Sequence, residues 1–302
     1  MLAIIIPFYK VTFFEATLQS LADQTDKRFK VYIGNDASPE DCTFLLRKFE
    51  GSFDFKYHRF EKNIGRATLT KQWDRCIALS SNEEWLMVLC DDDTLNKDCI
   101  AGFYNNMPSI INFRCDVIRF ATITYNEKDK LFSSLYTHPK IEKSTDFFYR
   151  KLMDQTRSSL SEYIFKRNNY EQHGFKHYSL AWHSDDRAWL EFSGFQNIYT
   201  INSSSVSFRI SEENISRANY KTEEKINAKV DFYRFFVFKH INKFRRFQRR
   251  DILLQYEQLI YKINQVDSIF FCRVIFLFFA NFYFLQSIKF TRRVVIYLRK
   301  NV

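Results

Sequence analysis

The chain predicts an α/β fold built on a mostly parallel sheet flanked by helices, and two observations predict it. Short apolar runs alternate with amphipathic stretches, and the central runs are apolar on both faces. The runs are "LAIIIP" (2–7), "FKVYIGN" (29–35), "FDFKYHRF" (53–60) and "EWLMVLC" (84–90). Helical stretches lie between and after them, around 13–24, 40–50, 66–80 and 97–106. A β-α-β-α rhythm builds a parallel sheet covered by helices on both sides. Ile4-Ile5-Ile6 and Leu86-Met87-Val88-Leu89 have no polar side, as strands in the middle of such a sheet require. Residues 111–210 mix candidate strands (115–125, 160–166, 198–210) with helices near 145–155 and 183–192, expected to pack on the same sheet.

Composition divides the chain. Of the net charge of +10, residues 217–302 carry +12 (18 Lys+Arg against 6 Asp+Glu), leaving −2 (27 against 29) for residues 1–216. The expectation is a near-neutral globular body over 1–216 and a basic, aromatic-rich helical appendage over 217–302. Six scattered cysteines form no Cys-x-x-Cys pair, which reads as reduced thiols of a cytosolic protein and excludes a disulfide frame or zinc site. The start, "MLAIIIPFYK", lacks a basic n-region and its apolar run ends at Pro7, so it does not read as a signal peptide.

In a parallel sheet, ligands bind beyond the carboxyl ends of the strands. Those ends carry Pro7 to Lys10, Asn35 to Ser38 and Asp91 to Asp93. In "GNDASPED" (34–41), Asp36 can accept from a uracil imide or a ribose hydroxyl; equally, Asp36 or Ser38 can cap a helix beginning near Glu40. In "EKNIGRATLTKQWDRC" (61–76), Asn63 and Gly65 flank a turn into a helix whose free N–H groups suit a phosphate, with Arg66 and Lys71 adding charge. An ordinary turn reads the same way. Asp91, Asp92 and Asp93 repel one another, and a hard cation such as Mg²⁺ or Mn²⁺ explains why they stand together at a strand end better than a solvated turn does. Asp185 and Asp186 in "LAWHSDDRAWLEF" (180–192) open an amphipathic helix, either as acids favoured by the helix dipole or as a general base; His183 is a rival base.

These pieces in this order resemble family 2 glycosyltransferases, which have the Rossmann-like GT-A fold and include enzymes of bacterial surface-polysaccharide synthesis. The resemblance covers about residues 1–216 and rests on "IIIPFYK", "TLQSLADQTDKRFKVYIGNDAS", "KNIG", "VLCDDDTL" and "HSDDRAWL". It implies an inverting transferase that uses a nucleotide diphosphate sugar and a divalent metal. Residues 1–110 would form the nucleotide-sugar half and 111–216 the acceptor half. Asp36 matches the acid that recognises the base, with Pro7, Tyr9, Asn63, Gly65 and Arg66 in matching donor-side segments. Asp92 aligns with the ribose acid and Asp93 with the metal ligand; a pairing of Asp91 with Asp93 is the alternative register. Asp185 matches the catalytic base, and because Ser184 replaces the usual Glu, Asp186 stays open. "SFRISEENIS" (207–216) matches the segment over the diphosphate; it has no His, so Arg209 would supply charge there.

In the appendage, Val237, Ile241, Phe244 and Phe247, then Leu253, Tyr256, Leu259 or Ile260, and Ile263 recur at helical spacing around "KFRRFQRR" (243–250). "SIFFCRVIFLFFANFYFLQSIKF" (268–290) is nearly continuous apolar sequence interrupted by Arg273 and Asn281. A spanning helix needs about 20 apolar residues. A shallow helix at an anionic membrane surface fits better, the alternative being packing on the body or on a second subunit as a homo-oligomer. The aromatics form an apolar face, which argues against nucleic acid. The expectation is an enzyme peripheral on the cytoplasmic face of the cell membrane, acting on a glycan or lipid-linked acceptor. Its rivals are a membrane-associated nucleotide-binding adaptor without transfer activity and a metal-dependent nucleotidyl or phosphoryl transferase. The latter should show a Gly-rich or Lys-rich loop after the first strand, which "PFYKVTFF" lacks.

Overall fold

The structure is a computed structural model that describes residues 1–212, 222–263 and 268–300. The chain forms two compact units, Met1–Tyr220 and Lys221–Val302. The expected boundary at 216/217 and the end of the 207–216 segment lie outside the described residues.

The first unit opens with β1 (Leu2–Phe8), α1 (Phe14–Ala22), β2 (Phe29–Asn35), α2 (Thr43–Lys48), β3 (Asp54–Arg59), α3 (Leu69–Ile77) and β4 (Trp85–Val88). Strand β1 pairs in parallel with β2 and β4, and β2 with β3. The side-chain alternation of β1 explains its two-sided burial. Leu2, Ile4, Ile6 and Phe8 pack against Phe14, Leu18 and Leu21 of α1 on one face, while Ala3 and Ile5 join Trp73, Cys76 and Ile77 of α3 on the other.

The chain continues with β5 (Thr94–Leu95), α4 (Cys99–Asn112), β6 (Val117–Asn126), β7 (Leu131–Phe132), β8 (Ile141–Lys143), α5 (Ser144–Leu152), β9 (Tyr163–Lys166), α6 (Arg167–His173), α7 (Ser184–Phe192) and β10 (Asn197–Ile210). Among the described residues one ten-stranded sheet runs β3-β2-β1-β4-β9-β6-β10-β5, with β7 on β6 and β8 on β10. Its first half is parallel. Beyond β4 it becomes mixed: β9 joins both β4 and β6 antiparallel, while β6 and β10 pair in parallel. Strand β9 fills the middle of the sheet with Tyr163, Ile164 and Phe165 fully buried, and so bridges the two halves.

In the second unit, α8 (Thr222–Lys239), α9 (Arg246–Lys262), α10 (Ser268–Ala280) and α11 (Phe284–Lys300) surround an aromatic core. Tyr233 stacks with Tyr256, which meets Phe270, which meets Phe290 at 5.9 Å. Glu257 is buried and takes a two-pronged ion pair from Arg293, at 2.6 and 2.7 Å. The spacing-derived core positions Val237, Ile241, Phe244, Leu253, Tyr256, Leu259 and Ile260 are buried, whereas Phe247 is exposed. The apolar stretch 268–290 is two helices, broken around Asn281–Tyr283. No helix among the described residues is long and apolar enough to cross a membrane.

Candidate active site

Register brings the strand ends together. Phe8 pairs with Asn35, Asp36 N–H donates to Phe8 O (3.0 Å), and Leu89 N–H donates to Ile5 O (2.9 Å). Tyr9, Asp36 and the Asp91–Asp93 turn therefore leave the sheet side by side.

Asp36 is buried, and its carboxylate organises the neighbouring loop. Its Oδ1 accepts from Ile64 N–H (2.8 Å) and its Oδ2 from Gly65 N–H (2.9 Å), while Arg75 of α3 forms an ion pair with Oδ1. Arg75 also lies 3.9 Å over the Phe60 ring. The helix-cap alternative for Asp36 fails, because α2 starts at Thr43 and the Thr43 N–H donates to Asp41. Ser38 caps no helix either: its hydroxyl donates to Tyr9 O at 2.6 Å and accepts from Glu40 N–H. The Asn63–Gly65 turn does not run straight into a helix, since α3 begins at Leu69, and two of its N–H groups point at Asp36. Gly65 is needed for closeness, not for a left-handed backbone: a Cβ there would sit 2.5 Å from Asp36 Oδ2. Asn63, Arg66, Lys71 and Tyr9 are exposed around this loop, and Pro7 is half-buried beneath it.

The three neighbouring aspartates have three different surroundings. Asp91 Oδ2 accepts from the N–H groups of Tyr9 (2.8 Å) and Lys10 (3.0 Å), so this acid ties down the loop after β1. Burial and then the Asp92 charge still push it up to about 6, against those two donors. Asp93 is 1% exposed; its Oδ2 accepts from Ser161 Oγ–H (2.5 Å) and its Oδ1 from Arg209 N–H (2.9 Å). Burial first, and the Asp92 charge second, push its carboxyl up to about 8. Asp92 O accepts from Arg209 Nε at 3.1 Å, and the ligand atoms of Cys90, Asp92 and Asp93 lie within 4.8 Å of one another. Arg209 is itself held by an ion pair with Glu127 and by the rings of Phe13 (4.3 Å) and Tyr125 (5.2 Å).

The second acid pair opens α7. Asp186 is buried and contacts Lys151 of α5 and His183 Nδ1, the latter at 2.8 Å. Burial alone would raise its carboxyl, but Lys151 and then His183 outweigh it and keep Asp186 ionised. Asp185 is half-buried beside the N–H groups of the helix start; burial and the Asp186 charge push it up to about 7, with Lys151 opposing. The helix is seated from below by Trp189, which stacks on Tyr163 at 4.1 Å. His183, the rival base, is thus committed to Asp186 through Nδ1.

Ser161, Arg75, Lys151 and Arg157 were not legible as site residues. Ser161 and Glu162 sit in a short turn at 160–162 just before β9, where Ser161 grips Asp93. Glu162 adds its charge to those acting on Lys151. Arg157 pairs with Glu162 (3.4 Å) and adds its charge near Asp93. The one local signal was the Ser159-x-x-Glu162 spacing, a capping box that is present in the structure.

The fold has solved counterparts. S. aureus TarS 1-349 in complex with UDP-GlcNAc is 15% identical with a TM-score of 0.62, covering 95% of this chain and 81% of that one. The same protein with UDP is 16% identical with a TM-score of 0.54, covering 100% and 92%. GalNAc-T7 with UDP, GalNAc and Mn2+ is 11% identical with a TM-score of 0.50, covering 78% and 48%. At such identities the likeness is one of fold. No curated protein matches the chain. The model of the family "Glycosyl transferase family 2" matches residues 3–166, which is more than half of the sequence and includes every strand-end loop described above. The protein therefore belongs to glycosyl transferase family 2, and its sheet is a GT-A fold.

Proposed function

We propose that this glycosyltransferase moves a sugar from a UDP-sugar to a hydroxyl of a glycan or lipid-linked acceptor, inverting the anomeric carbon. The observation that carries the reading is the meeting of the Asp36 loop with the Asp92–Asp93 turn at the carboxyl ends of β1, β2 and β4. UDP in the TarS and GalNAc-T7 structures, and Mn2+ in the latter, support the choice of nucleotide and metal.

The donor set fits Mg²⁺ or Mn²⁺. Two carboxylates in one turn suit a hard cation, and Asp93, pushed up to about 8, is an acid short of positive charge. Burial keeps the Cys90 thiol protonated, so it is no ligand for such an ion. We assign Asp93 as ligand, with Asp92 on the ribose side of the same gap. When bound, the ion offsets negative charge growing on the departing diphosphate.

The chain's own groups do the rest. Asp36 and the loop of Asn63, Gly65 and Arg66 border the base, Pro7 and Tyr9 line the β1 side, and Arg209 adds positive charge by the diphosphate. Asp91 keeps the β1 loop folded. Asp185 takes the proton of the acceptor hydroxyl as that oxygen attacks from the face opposite the leaving group, which inverts the centre. A carboxyl near 7 suits a general base at neutral pH. Asp186, kept ionised by Lys151 and His183, positions Asp185 and does not compete with it. The basic second unit attaches the enzyme to an anionic membrane on its cytoplasmic face, where lipid-linked acceptors are presented.

Nucleotide sugars should raise the melting temperature of the purified protein only with Mg²⁺ or Mn²⁺ present, and the product anomer read by NMR should be inverted. A retained anomer, or metal-independent transfer at full rate, would sink the reading.

A further inference from the structure

We propose that the hairpin of α10 and α11 enters an anionic lipid surface tip first, as a short wedge held by a collar of basic side chains. The inference rests on the membrane attachment proposed above and specifies how it is made.

The four most exposed large hydrophobic side chains among the described residues are Phe276 (68%), Phe282 (69%), Leu285 (70%) and Ile288 (68%). All four belong to this one tip. They are joined by Phe279 and Phe284, whose rings lie 5.7 Å apart, and Phe282 meets Phe284 at 6.2 Å. A protein surface in water rarely gathers apolar groups this way without an apolar environment to receive them. On the inner faces of the same helices, Val274, Phe278, Phe290 and Val294 are buried in the second unit; Ile269, Val295, Ile296 and Leu298 at the far end of the hairpin are exposed too, but less than the four at the tip.

The backbone of the tip points the same way. Helix α10 ends in a Schellman turn: Tyr283 N–H donates to Phe278 O (2.8 Å) and Phe282 N–H to Phe279 O (2.9 Å). The left-handed position of that turn ordinarily belongs to Gly or Asn. Here it is Phe282, at φ 59°. A bulky ring is held in a costly conformation at the exposed bend of the hairpin. That is intelligible if the ring itself has work there.

The tip does not swing freely. Arg249 donates to Asn281 Oδ1 at 2.9 Å, Tyr283 Oη–H donates to Arg246 O, and the Arg246 guanidinium lies 5.6 Å from the Tyr283 ring centre. These contacts set the tip beside the basic start of α9, where Lys243, Arg245, Arg246 and Arg250 are exposed. On the hairpin itself, Arg273, Lys289 and Arg292 are exposed. Lys289 lies about 8 Å along the helix axis from Phe284, and Arg273 about 10 Å from the end of α10, at 1.5 Å per residue. That spacing matches the depth of about 5–10 Å to which interfacial elements enter a bilayer. No Asp or Glu occurs after Asp267 to repel anionic headgroups. The charge collar selects a lipid surface over a second copy of the same basic chain, which would set like charges against each other.

The full chain is mixed with vesicles of phosphatidylcholine containing one third phosphatidylglycerol, and with phosphatidylcholine alone, and floated on a density gradient. Binding is expected on the anionic vesicles, weakening with salt. Phe279→Asp/Phe282→Asp/Leu285→Asp should reduce it at least tenfold, while metal-dependent stabilisation by the sugar donor stays unchanged as the check on folding. In a second measurement, Phe282→Trp should gain fluorescence that brominated lipid quenches. Parental binding by the triple variant, or no quenching of Trp at 282, overturns the wedge while leaving membrane attachment standing. A parent that binds neither vesicle removes the attachment itself. A parent that self-associates without lipid, and becomes monomeric in the triple variant, reassigns the tip to a contact between copies and overturns the proposal.

Discussion

Asp92–Asp93 and Asp185–Asp186 are both adjacent acids in the first unit, and each pair holds one carboxyl far above its ordinary range, Asp93 at about 8 and Asp185 at about 7. They differ in what answers the charge. At α7 the chain brings the Lys151 ammonium and the His183 imidazole, and both go to Asp186. At the β4 turn the Asp93 carboxylate is met directly by the Ser161 hydroxyl and the Arg209 backbone N–H, and the Arg157 charge acts on it without a direct contact. The comparison teaches that the buried acid of one pair, Asp186, is held by the side chains of Lys151 and His183, whereas that of the other, Asp93, is held by a hydroxyl and a backbone amide; the proposed base and the proposed cation site follow that difference.

Four substitutions break or sharpen that contrast. Asp93→Ala has the largest expected effect. Losing the proposed metal ligand should abolish metal-dependent donor binding and cut transfer by roughly 10³- to 10⁴-fold, corresponding to several kcal/mol of charge stabilisation. Calorimetry with and without Mn²⁺ separates this from simple unfolding. Asp185→Asn should lower kcat by about 10²- to 10³-fold with donor affinity kept; full activity would move the base to Asp186 or His183. Ser161→Ala should weaken metal affinity by about 10- to 100-fold, because a group that orients a ligand is lost while the ligand remains. A metal titration followed by activity reads this directly.

The smallest and most selective effect belongs to Lys151→Met. As the proposed base, Asp185 must lose its proton to act, so activity of the parent should rise tenfold per pH unit below about 7 and level off above it. Lys151 acts to lower the Asp185 carboxyl. Its removal should therefore move the acid limb to higher pH, costing several-fold in rate at neutral pH while leaving metal affinity unchanged. The buried Asp186 would also lose its lysine and keep only His183, so the melting temperature should fall, corresponding to about 3 kcal/mol. An unmoved acid limb with normal stability would show that the two acids are not coupled as described.

Much of the fold was legible because it is written in local pattern. The four β runs and their helices appear within a few residues of where period and turn chemistry put them, and β6, β9 and β10 likewise. The mixed direction of the second half was not legible: β9 joins β4 and β6 antiparallel through contacts far apart in the chain, which no local period encodes. The apolar run 268–290 reads as one stretch in hydropathy, yet Asn281 and the left-handed Phe282 end α10 and begin a hairpin.

The sequence alone determined that carboxylates stand at the ends of apolar strands and at the start of an amphipathic helix, because strand ends and helix starts follow from side-chain period and from the residues that interrupt it. It also determined that the last third of the chain is basic and aromatic. Tertiary structure alone decided what surrounds each acid. Asp91, Asp92 and Asp93 are chemically identical neighbours, and so are Asp185 and Asp186. Burial depth and the groups that arrive from elsewhere (the Tyr9 and Lys10 amides, Ser161, Arg209, Lys151, His183) set them apart. A carboxylate's charge state and partners depend on through-space distances of a few ångströms, and those exist only once the chain has folded.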